Sequence, residues 1–113
     1  MECVFCEIVA ENVEADKIYE SDDVLVIQDV NPVAPVHLLV FPRGHVAKLS
    51  AMDEDNAGLL SRVMLVAKRV AVELGLDESG YRVVINEGAM GGQTVQHFHA
   101  HVLGGRHMHW PPG

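Results

Sequence analysis

The run Gln96-His97-Phe98-His99-Ala100-His101-Val102-Leu103 restricts the possible folds more than any other stretch, because three histidines alternate in it with apolar residues. Alternate side chains of a β-strand lie on the same face, whereas in a helix these imidazoles would spread around the axis. The run therefore predicts a strand that Gly104-Gly105 ends. The histidines should line one face, and the apolar residues Phe98, Ala100 and Val102 should point into a core on the other.

Three imidazoles in a row are compatible with three different roles. They can bind a metal, as in three-histidine zinc sites. They can form a nucleophile flanked by hydrogen-bond donors, because histidine is largely neutral at pH 7. They can also be polar residues on a solvated sheet face, but such a face seldom needs histidine three times. The pattern therefore favours a metal site or catalysis, and it leaves both open.

The net charge of −8 limits the possible partners of the 113-residue chain. Binding to nucleic acid or to an anionic membrane needs a basic surface, so we expect neither. No apolar run reaches transmembrane length, and Met1-Glu2-Cys3 does not begin a signal peptide. We therefore expect one cytoplasmic domain over residues 1–113.

Cys3 and Cys6 form a Cys-x-x-Cys motif near the start of the chain. A disulfide is not expected in a reducing cytosol. The motif is half of a common zinc site, a redox pair, or two cysteines that serve as small apolar residues. The spacing alone does not choose among these.

Four strands besides the histidine strand are indicated. Residues 3–10 suit a short helix, and residues 17–20, 24–27 and 36–41 suit strands, of which 24–27 is apolar enough to be buried on both faces. Short sequence separation predicts that 24–27 and 36–41 form an antiparallel hairpin. Residues 81–86 predict a strand that pairs with the histidine strand. The loop between them is rich in glycine, and its free N–H groups suit an anion.

A long helix is predicted from a capping box at Ser50-Ala51-Met52-Asp53 to about Leu74, where Gly75 stops it. Its apolar stripe comprises Leu60, Val63, Met64, Ala67, Val70, Ala71 and Leu74. Leu59, Val66 and Val72 widen that surface, which suggests a second copy of the chain as a partner. The expected fold is α+β: a five-stranded antiparallel sheet with one long helix and a short N-terminal helix.

The histidine run resembles the signature of the histidine triad superfamily, and the resemblance extends over nearly the whole chain. The matching stretches are Cys3 to Ile8, Gln28-Asp29 before Asn31-Pro32, His37 to His45, Asn86-Glu87-Gly88, Gly91 to Thr94, Gly104 to Arg106 and His109 to Pro112. The chain is most similar to the histidine triad nucleotide-binding proteins, which are homodimeric purine-nucleotide phosphoramidases.

The resemblance implies a role for each matching residue. His99 corresponds to the nucleophile, His97 and His101 to its flanking partners, and His37 to a fourth active-site histidine. The implied substrate contacts are Asp29 for the ribose, Gln28 beside the nucleoside, and Asn86, Gly92, Gln93 and Thr94 for the phosphate. The purine pocket is implied to comprise Phe5, Ile8, Ile27 and Leu39, and Trp110 lies in the tail that reaches the partner subunit's active site in relatives.

The resemblance implies no cofactor for catalysis, but it implies a possible structural zinc held by Cys3, Cys6, His45 and His97. The expected activity is hydrolysis of the P–N bond of nucleoside 5′-phosphoramidates through a nucleotidyl-histidine. The alternatives are a dinucleoside polyphosphate hydrolase, a nucleotide-binding interaction protein with incidental catalysis, and a metalloenzyme with zinc on His97, His99 and His101.

Overall fold

Five strands form one antiparallel sheet in the order β1-β2-β3-β5-β4. The computed structural model describes residues 3–113. The predicted domain and the Met1-Glu2-Cys3 opening include Met1 and Glu2, which lie outside the described residues. The strands are β1 (Lys17–Glu20), β2 (Val24–Gln28), β3 (Val36–Pro42), β4 (Tyr81–Val84) and β5 (Ala100–Gly104). The helices are α1 (Val4–Val9), α2 (Ala57–Glu73), α3 (Leu76–Ser79) and α4 (Gly88–Gly91). The predicted α+β class and both predicted antiparallel pairings are confirmed.

The sheet separates two apolar clusters. On one face, buried residues of α2 pack against side chains of β2, β3 and β5. On the other face, α1 places Phe5 and Ile8 against Leu25, Ile27, Leu39 and Phe41. The central strands β2 and β3 are therefore buried on both faces, as predicted for residues 24–27. None of the helices in residues 3–113 is long and apolar enough to cross a membrane.

The histidine run alternates as predicted, but its strand begins later. Phe98, Ala100 and Val102 belong to the cluster on the α2 face, and the imidazoles lie on the α1 face. The ladder with β3 begins at the pair Val40 and Ala100, so His97 to His99 precede the strand. Two residues further, the same register would bring Phe98 opposite Pro42, which has no N–H to donate.

The N–H of Phe98 instead donates to the carbonyl of Val46, with an N···O distance of 2.6 Å. The polypeptide therefore leaves the sheet here and is held by the loop that follows β3. The expected strand over the whole histidine run is wrong in extent for this reason.

The predicted start of the long helix is also wrong. The capping box consists of Asp53 and Asn56, where Asn56 Oδ1 accepts the N–H of Asp53 at 2.6 Å. Ser50 lies in a separate 3₁₀ turn, and its N–H donates to the Glu87 carboxylate. Residues 54–56 form a second 3₁₀ turn, so α2 begins at Ala57.

The region before β5 is more ordered than predicted. The strand expected over 81–86 ends at Val84, and the glycine-rich loop contains the helical turn α4. Gly88 begins this turn and Gly92 follows it, with φ values of 73° and 83°, which glycine adopts without strain. This turn sets the path of the chain toward Thr94 and the histidine run.

Candidate active site

A cavity of about 390 Å³ opens on the α1 face of the sheet, beside the histidine run. It is lined by nine of the predicted site residues: Phe5, Ile8, Ile27, Gln28, Asp29, Leu39, Thr94, His99 and His101. It is also lined by Val4, Val13, Ala15, Val30, Asn31 and Val95, which sequence analysis missed. Val13 and Ala15 lie in an irregular segment between α1 and β1, where no periodic pattern signals burial. The cavity is thus apolar at its walls and polar along the histidine edge.

His99 presents one free ring nitrogen to this cavity. Its Nδ1 lies 2.7 Å from the backbone oxygen of His97, which can only accept a hydrogen bond. Nδ1 therefore carries the proton, and Nε2 keeps its lone pair. The ring of Phe5 contacts His99 edge-on, with centroids 5.1 Å apart. His99 is therefore held as a neutral imidazole whose Nε2 lone pair is available to the cavity.

His37 and His101 form a hydrogen-bond chain that ends in an N–H donor, in contrast to the lone pair that His99 presents. The backbone N–H of Val33 donates to His37 Nδ1 at 3.1 Å, so His37 carries its proton on Nε2. That Nε2–H donates to His101 Nδ1 at 2.9 Å. In neutral His101 the proton is then on Nε2. His101 therefore offers a hydrogen-bond donor, whereas His99 offers a lone pair.

Asp29 joins this chain to the cavity. Its Oδ2 lies 3.3 Å from His37 Nε2, and its Oδ1 accepts the N–H of Asn31 at 2.8 Å. Asp29, His37 and His101 lie close enough together to be considered as metal ligands. However, Val33 occupies Nδ1 of His37, and the Nε2 proton would have to leave before a metal could bind. The arrangement therefore suits proton positioning better than metal binding.

Burial keeps these imidazoles neutral. It lowers the pKa of His99 and of His37, although the charge of Asp29 opposes the shift in both. Burial lowers the pKa of His101 to about 4, and repulsion from His99 and His37 adds to the shift. At pH 7 each ring is therefore uncharged.

His97 lies away from the cavity, in a second group of ligating side chains. Its Nδ1 lies 3.3 Å from Cys3 Sγ and 3.6 Å from Cys6 Sγ, and Cys6 Sγ lies 3.4 Å from His45 Nδ1. All four ligand atoms lie within 4.8 Å of one another. The structure thus brings together the four residues predicted as zinc ligands.

The chemistry of this group fits a structural zinc. Tetrahedral zinc with sulfur and nitrogen ligands requires S···N separations of about 3.6 Å, close to those observed. His97 Nε2 donates to the carbonyl of Pro42 at 2.7 Å, which leaves the lone pair on Nδ1 facing the sulfur atoms. The alternative with zinc on all three histidines is wrong, because His97 faces the cysteines while His101 faces His37.

The glycine-rich loop does not offer all the N–H groups that the sequence predicts. The N–H of Gly92 donates to Ala89 and that of Gln93 to Gly88, at 3.2 and 3.0 Å. The Gln93 carboxamide accepts from the Gly88 N–H and donates to two carbonyls, those of Ala47 and Val95. Gln93 therefore braces the loop from inside.

Four predicted substrate contacts lie outside the lining of the cavity in the described part of the chain: Asn86, Gly92, Gln93 and Trp110. Trp110 is 82% exposed. The adjacent His109 carbonyl accepts from Arg82 of β4 at 2.8 Å, which holds the tail along the sheet edge. Of the four residues predicted to contact the phosphate, Thr94 alone therefore lines the cavity in the described part of the chain, beside His99 and His101.

Fold and site together identify the class of protein. A HIT domain family model matches residues 10–108, and the chain belongs to this histidine triad family. The fold is shared with a HIT family hydrolase from Legionella pneumophila, which is 42% identical, with a TM-score of 0.97. That match covers 99% of this chain and 100% of the hydrolase.

Two further relatives place the chain within the family. A HIT-like protein of Synechococcus elongatus is 46% identical over 110 residues, covering 97% of this chain and 96% of that protein. The histidine triad nucleotide-binding protein of Candida albicans is 31% identical with a TM-score of 0.83, covering 97% and 83% of the two chains. The histidine triad fold is therefore common to bacterial and fungal relatives of this chain.

We predict that His101 makes folding sensitive to acid. Between pH 6.5 and about 4 the unfolded chain protonates this histidine and the folded chain does not, so stability falls as the pH falls. The displacement of the pKa corresponds to at most about 3 kcal/mol. Urea unfolding of wild type and of His101→Gln at pH 7, 5.5 and 4.5 should show a shallower loss for the variant.

His107→Gln, in the exposed tail, is the matched control and should lose stability as wild type does. If all three proteins lose the same free energy of unfolding between pH 7 and 4.5, His101 is not held neutral by folding.

Proposed function

We propose that this protein is a purine nucleoside phosphoramidase that hydrolyses the P–N bond of nucleoside 5′-phosphoramidates. The observation that carries the proposal is the opposite polarity of two neighbouring imidazoles. His99 presents the lone pair of Nε2, and His101 presents an N–H from the same edge of the cavity. A nucleophile beside a proton donor suits substitution at phosphorus with departure of an amine.

The proposed reaction proceeds in two steps. His99 Nε2 attacks the α-phosphorus, a P–N(imidazole) bond forms and the P–N(amine) bond breaks. The leaving amine takes one proton, and the proposed donor is His101 Nε2–H or the Thr94 hydroxyl, since both residues line the cavity. Water then attacks the nucleotidyl-histidine, which frees His99 and nucleoside monophosphate, and the proton from water restores the donor.

The surrounding residues support a nucleotide as substrate. Phe5, Ile8, Ile27 and Leu39 give the cavity an apolar wall suited to a planar base. Asp29 also lines the cavity, and its carboxylate accepts hydrogen bonds of the kind that ribose hydroxyls donate. The name of the Candida albicans relative, a nucleotide-binding protein, agrees with this assignment.

We predict that the intermediate forms on His99. Brief mixing of wild type with an adenosine 5′-phosphoramidate should give a transient adduct of adenylate size by intact-protein mass spectrometry. His99→Gly should give no adduct and should lose at least about 10⁴-fold in kcat, because it lacks the nucleophile. His107→Gln should behave as wild type does.

Two other results would redirect the assignment. Faster turnover of a dinucleoside polyphosphate than of the phosphoramidate, assayed side by side, would favour the polyphosphate hydrolase. Nucleotide binding with neither adduct nor turnover in wild type would favour a binding protein.

We also propose that the active protein is a homodimer in which each tail completes the partner's site. Met64, Leu65 and Val72 of α2 are apolar and exposed, although a helix packed on one sheet needs no apolar outer face. Strand β4 forms one edge of the sheet, and Arg82 holds the tail along this edge. Trp110 is thus placed beyond its own cavity, where a second subunit can receive it.

A complementation assay tests this arrangement. His99→Ala and Trp110→Ala homodimers should each have low phosphoramidase activity. After subunit exchange, mixed dimers contain one site with His99 and an intact Trp110 from the partner, so activity should rise above the sum of the parents. An unchanged sum, with exchange confirmed by mass, would contradict the shared site.

We further propose that Cys3, Cys6, His45 and His97 bind one zinc per subunit, with a structural role. The ligand separations and the hydrogen bond from His97 to Pro42 support the assignment. When bound, the ion supplies a fixed tetrahedral crosslink between the start of α1, the loop after β3 and the histidine run.

Elemental analysis of protein purified without chelator should give zinc near unit stoichiometry. His45→Ala and Cys6→Ser should lose the metal, because each removes one ligand of four. His107→Ala, which removes a histidine outside the group, should retain it. Wild type without zinc would contradict the assignment.

A further inference from the structure

The backbone carbonyl that orients His99 lies outside the β-sheet. His99 Nδ1 donates to the carbonyl of His97, and the ladder between β3 and β5 begins only at Ala100. Pro42 provides no N–H that could extend this ladder by one more bond. The N–H of the same peptide, that of Phe98, donates instead to the carbonyl of Val46, the residue after His45 of the zinc group.

The side chain of His97 supplies a second anchor for this peptide. It is fully buried, its Nε2 donates to the carbonyl of Pro42, and its Nδ1 faces Cys3 and Cys6. The edge of its ring lies against Phe41, with centroids 5.5 Å apart. Both ring nitrogens are engaged, so the ring and the hydrogen bond from Phe98 to Val46 together hold the peptide that carries the carbonyl.

The strength of this anchor depends on what lies between the sulfur and nitrogen atoms. A thiol is a weak hydrogen-bond donor, so without a metal the contact of Nδ1 with Cys3 is weak. With zinc bound, the same atoms become ligands with fixed distances and angles. If the ring tilted, the 2.7 Å bond from His99 to the carbonyl would weaken, and the His99 proton could move to Nε2. That tautomer has no lone pair facing the phosphorus.

We propose that the zinc group formed by Cys3, Cys6, His45 and His97 is a positioning element for the nucleophile, acting through the His97 carbonyl. The inference rests on the proposed function, because it takes His99 as the attacking residue. Cys3, Cys6 and His45 then act on the reaction without touching the substrate, and His97 links them to the nucleophile.

The test compares wild type with His45→Ala and with Val63→Ala. His45 is exposed and lies outside the cavity lining, so its removal takes away a ligand without opening the core. Val63 is a buried residue of α2, on the opposite face of the sheet, and its truncation lowers stability without touching the zinc group. Zinc content, unfolding temperature, kcat and KM are measured for each protein, and ring ¹⁵N NMR shifts report the tautomer of His99.

We expect His45→Ala to lose zinc, to lower kcat by about 10- to 100-fold with little change in KM, and to mix the two tautomers of His99. KM should hold because Phe5 stacks on Phe41 at 4.3 Å and keeps the cavity wall in place. Wild type stripped of zinc with a chelator should show the same fall in kcat and the same mixture of His99 tautomers as His45→Ala. Adding zinc should restore both. Val63→Ala should lower the unfolding temperature and keep the single tautomer.

Folded, zinc-free His45→Ala with unchanged kcat and a single His99 tautomer would overturn the inference, as would wild type without zinc. A fall in kcat without a tautomer change would also overturn it, since general destabilisation explains that result. The tautomer is measured without substrate. A response to zinc in a protein that shows no turnover would therefore uphold the coupling while the proposed function fails.

Discussion

The alternation of side chains along residues 97–103 is the constraint on which the rest of the structure depends. One segment must place Phe98, Ala100 and Val102 in the core under α2 and turn the imidazoles toward α1. A shift of one residue would bury the histidines under α2 and expose the apolar residues. The packing of α2 and α1 on opposite faces of the sheet and the position of the imidazoles are therefore one requirement, met by a single register.

Because the imidazoles are buried, each ring at this site has a defined donor nitrogen and a defined acceptor nitrogen. Imidazoles removed from water remain neutral, and each neutral ring has one donor and one acceptor. A backbone carbonyl fixes His99 and a backbone N–H fixes His37, so the polarity of both rings is set by groups that cannot change their own protonation. Asp29 supplies a negative charge at the edge of the cavity, but burial outweighs its effect on the pKa of its neighbours.

Patterns that depend on local periodicity predicted the structure well, and features that depend on distant partners did not. The five-stranded sheet, two of its four strand pairings and nine cavity residues followed from alternation, glycine positions and the family motifs. Ser50 was a plausible helix cap by spacing, but Glu87 captures its N–H and Asp53 caps instead. Gln93 turned inward because three backbone groups surround it. Val13 and Ala15 line the cavity from the irregular segment between α1 and β1, for which no sequence pattern predicts a place in the site.

The hydrogen bond from the Val33 N–H to His37 has a consequence for sequence variation in this family. The donor belongs to the main chain, so every amino acid except proline supplies it, and the Val33 side chain itself is 59% exposed. Drift at this position is therefore compatible with a preserved histidine tautomer. The direction of proton donation is inherited with the shape of the loop after β2, and it does not depend on the identity of residue 33.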